Sequence, residues 1–144
     1  MEMKVSAKWE GKRRFVATGP SGHGVPIDAK REDGGEDTGA RPMELVLMGL
    51  IGCTGIDVSL ILERMREPLE ELNIEAVGVR REEKPQAYTN IRLIYTAKGN
   101  LDPKKVWRAI RLSEEKYCSA SASLVAPITT ELILNDVSIS QQEV

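Results

Sequence analysis

The chain alternates between two-residue and helical hydrophobic spacing. Met3, Val5, Ala7 and Trp9 face one way, and Lys4, Ser6 and Lys8 the other, which predicts a half-buried strand over 3–9. Glu10-Gly11 reads as a turn and Arg14–Thr18 as the returning strand. After the loop signal Gly19-Pro20-Ser21-Gly22, alternation at Val25, Ile27 and Ala29 predicts a third strand. Residues 31–40, REDGGEDTGA, are polar and glycine-rich and predict a mobile loop. From Pro42 to about Arg66 the pattern turns helical. Pro42 suits the first helical position, Glu44 suits the positive end of the dipole, and Pro68 closes the stretch. Apolar residues leave no wide polar face in its middle, so the helix is expected to be buried.

Alternation returns over Leu72–Arg80, with a possible irregularity at Val77-Gly78, and again at Ile91, Leu93, Tyr95 and Ala97. Residues 81–90 between them read as a turn. Asp102-Pro103 is an N-cap and first-turn pair, and helical spacing then runs to about Tyr117. Ser119–Leu124 predicts a short helix, Ile128–Leu134 a last strand, and the tail 138–144 little order. The order β-β-β-α-β-β-α-β predicts one α+β domain over 1–144 with antiparallel sheets.

Composition narrows the function. Charged residues make up 29% and the net charge is −2, so no basic surplus points to nucleic acid. No apolar run near the N-terminus resembles a secretory leader, so the cytoplasm is the expected location. Thiols are kept reduced there. One His and two Cys cannot make a closed Cys/His zinc site. Glu44 and Asp57 lie inside the long apolar helix and argue against a membrane span.

The helix also carries Gly49, Gly52 and Gly55 at every third position. Each costs about 1 kcal/mol in a helix interior. They are expected where another backbone packs closely, most simply the same helix of a second subunit. Cys53 sits among them. By itself a buried cysteine reads as a small hydrophobe or as a reactive thiol, and spacing does not choose.

Arg41-Pro42-Met43-Glu44-Leu45, followed by Leu50-Ile51-Gly52-Cys53-Thr54-Gly55-Ile56-Asp57-Val58, resembles the central helix of the OsmC/Ohr family. Lys116-Tyr117-Cys118-Ser119 resembles its second cysteine motif, and Ser21-Gly22-His23 with Ile27-Asp28-Ala29 its N-terminal hairpin. The resemblance runs over nearly the whole chain. It implies antiparallel sheets wrapped around a long central helix, and an intertwined homodimer. It implies reduction of organic hydroperoxides, with Cys53 as the attacking thiol, Cys118 as the resolving thiol and a lipoyl-type dithiol as reductant. That cycle requires no metal or organic cofactor, and no nucleic acid or membrane partner. Hydroperoxide reductases of the family carry a Glu directly after the helix-start proline, where this chain has Met43 and then Glu44. The resemblance thus implies Glu44 as the catalytic carboxylate, supplied across the dimer. Arg13, Arg14 and Arg41 are candidates for the family's activating arginine. His23 reads as a turn residue. The alternative is a non-enzymatic dimer of this fold that binds a small apolar ligand between subunits. A purely structural dimerisation module would need both thiols fully buried and too far apart to bridge.

Overall fold

The computed structural model describes residues 1–144, which form two compact units, 1–46 and 47–144. The first unit is a three-stranded antiparallel meander of β1 (Ser6–Trp9), β2 (Phe15–Thr18) and β3 (Val25–Ile27), with Ser6 opposite Thr18 and Phe15 opposite Ile27. The first strand is shorter than its alternation predicts, and Met3, Val5 and Trp9 are exposed. The Trp9 indole N–H donates to the Lys12 carbonyl at 3.0 Å.

The glycine-rich loop departs from expectation for a clear physical reason. Asp28 is buried, and its carboxylate accepts from the Ala29, Glu36 and Thr38 backbone N–H groups and from the Thr38 hydroxyl at 2.7 Å. The loop is wound around this acceptor rather than left mobile. A Cβ on Gly35 would sit 2.0 Å from the Ala29 carbonyl oxygen, so only glycine allows that approach. The Thr38 hydroxyl, with help from the three N–H groups and against burial, lowers the Asp28 pKa to about 2.

Helix α1 (Pro42–Arg64) begins at the end of this unit. The second unit holds most of it and a four-stranded sheet, β4 (Leu69–Arg80), β5 (Tyr88–Gly99), β6 (Ile128–Leu134) and β7 (Val137–Ile139), in that order. The β4–β5 and β6–β7 pairs are antiparallel, but β5 and β6 are parallel. The α+β class stands, and the sheet is mixed rather than antiparallel throughout. A parallel pair needs a long crossover, here α2 (Pro103–Leu112), a π-turn at Ser113–Tyr117 and α3 (Ser119–Ala122). Asp102 caps α2, accepting from the Lys104 N–H at 3.0 Å. The irregularity expected near Gly78 falls at Val79/Arg80.

The tail is also more ordered than predicted. Strand β7 pairs with β6, Ser140 and Glu143 form a reciprocal capping box, and the Trp107 indole N–H donates to the Ile139 carbonyl at 3.0 Å.

The core joins Leu50, Val58 and Leu62 of α1 to Ile91, Leu93 and Tyr95 of β5, Trp107 and Ile110 of α2, and Leu132 of β6. By length and composition α1 could cross a membrane, but the row Leu50, Thr54, Val58, Leu62 is built into this core. The helix is not buried all round, as its apolar pattern suggests. Met48 and Ile56, on the opposite row, are 52% and 68% exposed in the single chain. Nor do the three glycines share one role. A Cβ on Gly49 or Gly52 would meet open space, whereas one on Gly55 would lie 3.2 Å from Ile74 of β4.

Candidate active site

Cys53 lies midway along α1 and is half-buried. Cys118 is buried and directly follows the π-turn, where its N–H donates to the Ser113 carbonyl at 2.7 Å. The wider turn ends the long α2 segment and sets Cys118 as the cap of α3, with the Ser121 N–H directed at its sulfur at 3.4 Å. Both thiols are free, and the two sulfurs and an Asp57 carboxylate oxygen all lie within 4.8 Å of one another. Asp57 is four residues after Cys53, one helical turn along the same face.

A chain of buried hydroxyls ends on that carboxylate. The Ser113 hydroxyl donates to Asp57 at 3.0 Å. Its single hydrogen being used, it accepts from Thr54 at 3.0 Å, and Thr54 in turn accepts from the Tyr95 hydroxyl at 2.5 Å. All three donors are buried to within 1% of full burial, and desolvation pushes the Tyr95 pKa well up, so it stays a donor.

The Cys53 thiol is held between opposing influences. The Ala120 N–H favours its thiolate, with a smaller pull from the Ser119 N–H. Burial and the adjoining Cys118 thiol outweigh them and push the Cys53 pKa up. On the Cys118 side opens a cavity of about 240 Å³, lined by Leu50, Leu93, Ile128, Ser121 and Glu114 among others. Desolvation raises the Glu114 pKa although the Thr130 hydroxyl donates to its carboxylate.

The expected thiol pair is therefore brought together, and Glu44 is not with it. Nine residues of helix separate Glu44 from Cys53, about 13.5 Å of rise. The Glu44 carboxylate accepts from the Arg41 N–H at 3.1 Å and pairs with its guanidinium at 3.7 Å. The candidate arginines are engaged within residues 1–46. Arg41 also pairs with Asp37, Arg14 with Glu10 and Thr38, and Arg13 donates to the Lys12 carbonyl. His23 is exposed in its turn, its N–H near the Ser21 hydroxyl at 3.4 Å. Sequence reasoning missed Asp57, Ser113, Thr54, Tyr95 and Glu114 as site residues. Only Asp57 carried a local signal, its one-turn spacing from Cys53.

The family model for OsmC-like proteins matches residues 34–133. Protein YhfA of Escherichia coli K12 is 36% identical over 123 residues, covering 85% of this chain and 89% of its own. A hypothetical protein from Aquifex aeolicus VF5 superposes with a TM-score of 0.83 at 28% identity, covering 94% of this chain and 97% of the other. The organic hydroperoxide resistance protein OhrB of Bacillus subtilis shares the fold at a TM-score of 0.60 and 19% identity, over 94% of this chain and 98% of its own. The paired cysteine motifs, the fold and these matches agree: the chain belongs to the OsmC-like family.

Proposed function

We propose that this protein reduces organic hydroperoxides with Cys53 as the peroxidatic thiol and Cys118 as the resolving thiol. The observation that carries the reading is the proximity of two unbridged sulfurs, within 4.8 Å, beside a cavity. The Cys53 thiolate attacks one peroxide oxygen, the O–O bond breaks, and the alcohol leaves once it takes up a proton. Cys53 becomes a sulfenic acid. The Cys118 sulfur then displaces its hydroxyl as water, forming a disulfide. A lipoyl-type dithiol reduces that disulfide by exchange, supplying the two electrons. This cycle suits a reducing compartment, the cytoplasm.

Asp57 is the carboxylate beside the two sulfurs, whereas Glu44 lies nine residues along the helix from Cys53. The Asp57 oxygen lies within 4.8 Å of both sulfurs, a span that one bridging water closes to carry the thiol proton to the carboxylate and return it to the departing alkoxide. The Ala120 and Ser119 N–H groups favour the Cys53 thiolate, and burial and the Cys118 thiol oppose them.

The functional unit is a homodimer in this reading. The exposed apolar row Met48, Gly52, Ile56 and Leu60 of α1 is the face a second copy would cover. Antiparallel pairing of two such helices would let Glu44 of one chain serve the site of the other. The non-enzymatic reading keeps one observation in its favour, the raised Cys53 pKa.

Intact mass of the reduced protein after stoichiometric cumene hydroperoxide tests the proposal. Loss of two hydrogens that requires both Cys53 and Cys118 is the expected result. Thiols that remain reduced under peroxide would overturn it and leave ligand binding as the better account.

A further inference from the structure

We propose that Cys53, Cys118 and Asp57 form a three-donor site for a thiophilic divalent cation of the zinc and cadmium class. Zn²⁺ binds sulfur at about 2.3 Å and carboxylate oxygen at about 2.0–2.2 Å, so donor atoms on one ion lie roughly 3.5–3.8 Å apart. The two sulfurs and the Asp57 oxygen already lie within 4.8 Å of one another. Side-chain adjustments of about an ångström or less complete the set. Three protein donors leave the fourth position of a tetrahedral ion to water, and the cavity beside Cys118 has room for it. This open set differs from the closed Cys/His site that the chain's composition rules out.

Two further features support the assignment. Ligating carboxylates are held by outer hydrogen bonds, and here the fully buried Ser113 hydroxyl fixes the Asp57 oxygen Oδ2 at 3.0 Å. Metal-bound sulfur is a thiolate and gains from N–H donors. The Ser121 N–H points at Cys118 Sγ at 3.4 Å. On binding, the cation replaces the two thiol protons, which leave to solvent. No electrons move. A sulfur bonded to the cation is withheld from peroxide and from disulfide formation. Coordination stands independently of the peroxidase proposal, and only this protective consequence rests on it.

The test is titration of the reduced dithiol protein, freed of added thiol reductant, with Cd²⁺, followed by sulfur-to-metal charge-transfer absorption, with Zn²⁺ as competitor. One Cd²⁺ per chain is expected, displaced by Zn²⁺. The absorption is lost in Cys53→Ser or Cys118→Ser. Asp57→Asn keeps the shape of the side chain, and Ser113→Ala removes the outer hydrogen bond to Asp57 while leaving all three donors in place. Each is expected to weaken binding by about 10- to 100-fold, with folding checked by circular dichroism. No charge-transfer absorption in folded, reduced protein would overturn the site. So would an Asp57→Asn variant that binds as tightly as the parent. The peroxide mass experiment on metal-free protein is read separately, so either proposal can fail alone. Zn²⁺-loaded protein treated with peroxide and then stripped of metal should regain both thiol hydrogens, whereas metal-free protein treated the same way stays two hydrogens lighter as the disulfide.

Discussion

Ser113 donates a hydrogen bond to Asp57 at 3.0 Å while lying fully buried in the π-turn that precedes Cys118. One side chain thus ties the helix that carries Cys53 to the segment that carries Cys118. It is also the middle of the hydroxyl chain from Tyr95. Ser113→Ala deletes the donor to Asp57 and the acceptor for Thr54. The expected loss is about 1–3 kcal/mol of stability, the usual range for leaving a buried polar group unpaired. Urea denaturation of the two proteins measures it. An unchanged midpoint would mean the chain of hydroxyls contributes nothing to the fold.

Tyr95→Phe separates stability from chemistry in the same chain. The hydroxyl ends on Thr54, and the Asp57 contact is made by Ser113, two bonds further on. Stability should fall by about 0.5–1.5 kcal/mol, the net worth of one hydrogen bond. The rate of Cys53 oxidation by peroxide should change less than in Asp57→Asn. Equal rate losses in the two variants would place the function in the network as a whole rather than in the carboxylate.

The pH dependence of Cys53 follows from its neighbours. Its raised pKa predicts that alkylation by iodoacetamide keeps accelerating into alkaline pH, without the neutral plateau of an activated thiolate. Cys118 is one of the groups holding that pKa up. Cys118→Ala should therefore move the Cys53 alkylation profile to lower pH. A profile unmoved by the substitution would show that burial alone sets the Cys53 pKa.

What the sequence made legible divides along local and non-local lines. The strand Ile128–Leu134 is written in its alternation and is found with those ends. Pro42 and the Asp102-Pro103 pair mark helix starts because capping is a local property. The cysteine pair was readable only through resemblance, since 65 positions separate the two residues. The parallel β5–β6 pairing was not readable, because alternation says which face is apolar and not which strand lies alongside. Asp28 looked like one acid in a polar stretch, and its role depends on four donors that converge only in the folded loop. Ser113 and Thr54 were invisible for the same reason: their partners lie 56 and 41 positions away.

Asp28 makes an acid-range prediction with a definite sign. Its pKa is lowered in the folded loop, from 3.8 to about 2, by the Thr38 hydroxyl and the converging N–H groups. Its stabilisation is therefore complete above pH 3.8 and is lost as pH falls through about 2. Asp28→Asn removes an acceptor oxygen at every pH. Amide hydrogen exchange at Glu36 and Thr38, whose N–H groups bond to Asp28, should speed up in the variant near neutral pH. Protection retained at those two amides would mean the loop is ordered by other contacts.

The last prediction concerns the open face of α1. Gly52 has nothing near the position of a Cβ, and Ile56, one turn on, is 68% exposed. In an isolated chain, leucine at 52 or glutamate at 56 would cost the fold little, since neither position packs against its own core. In the proposed dimer both would be severe, because the first forces two helices apart and the second leaves a charge in an apolar contact. Sedimentation should therefore find the parent as a dimer, with Gly52→Leu and Ile56→Glu shifted toward monomer. Gly55→Leu is the contrasting variant. Its Cβ would press against Ile74 at 3.2 Å, so it should lower the stability of the single chain itself. Equal behaviour of Gly52→Leu and Gly55→Leu in both sedimentation and denaturation would contradict the assignment of the two glycines to opposite tasks.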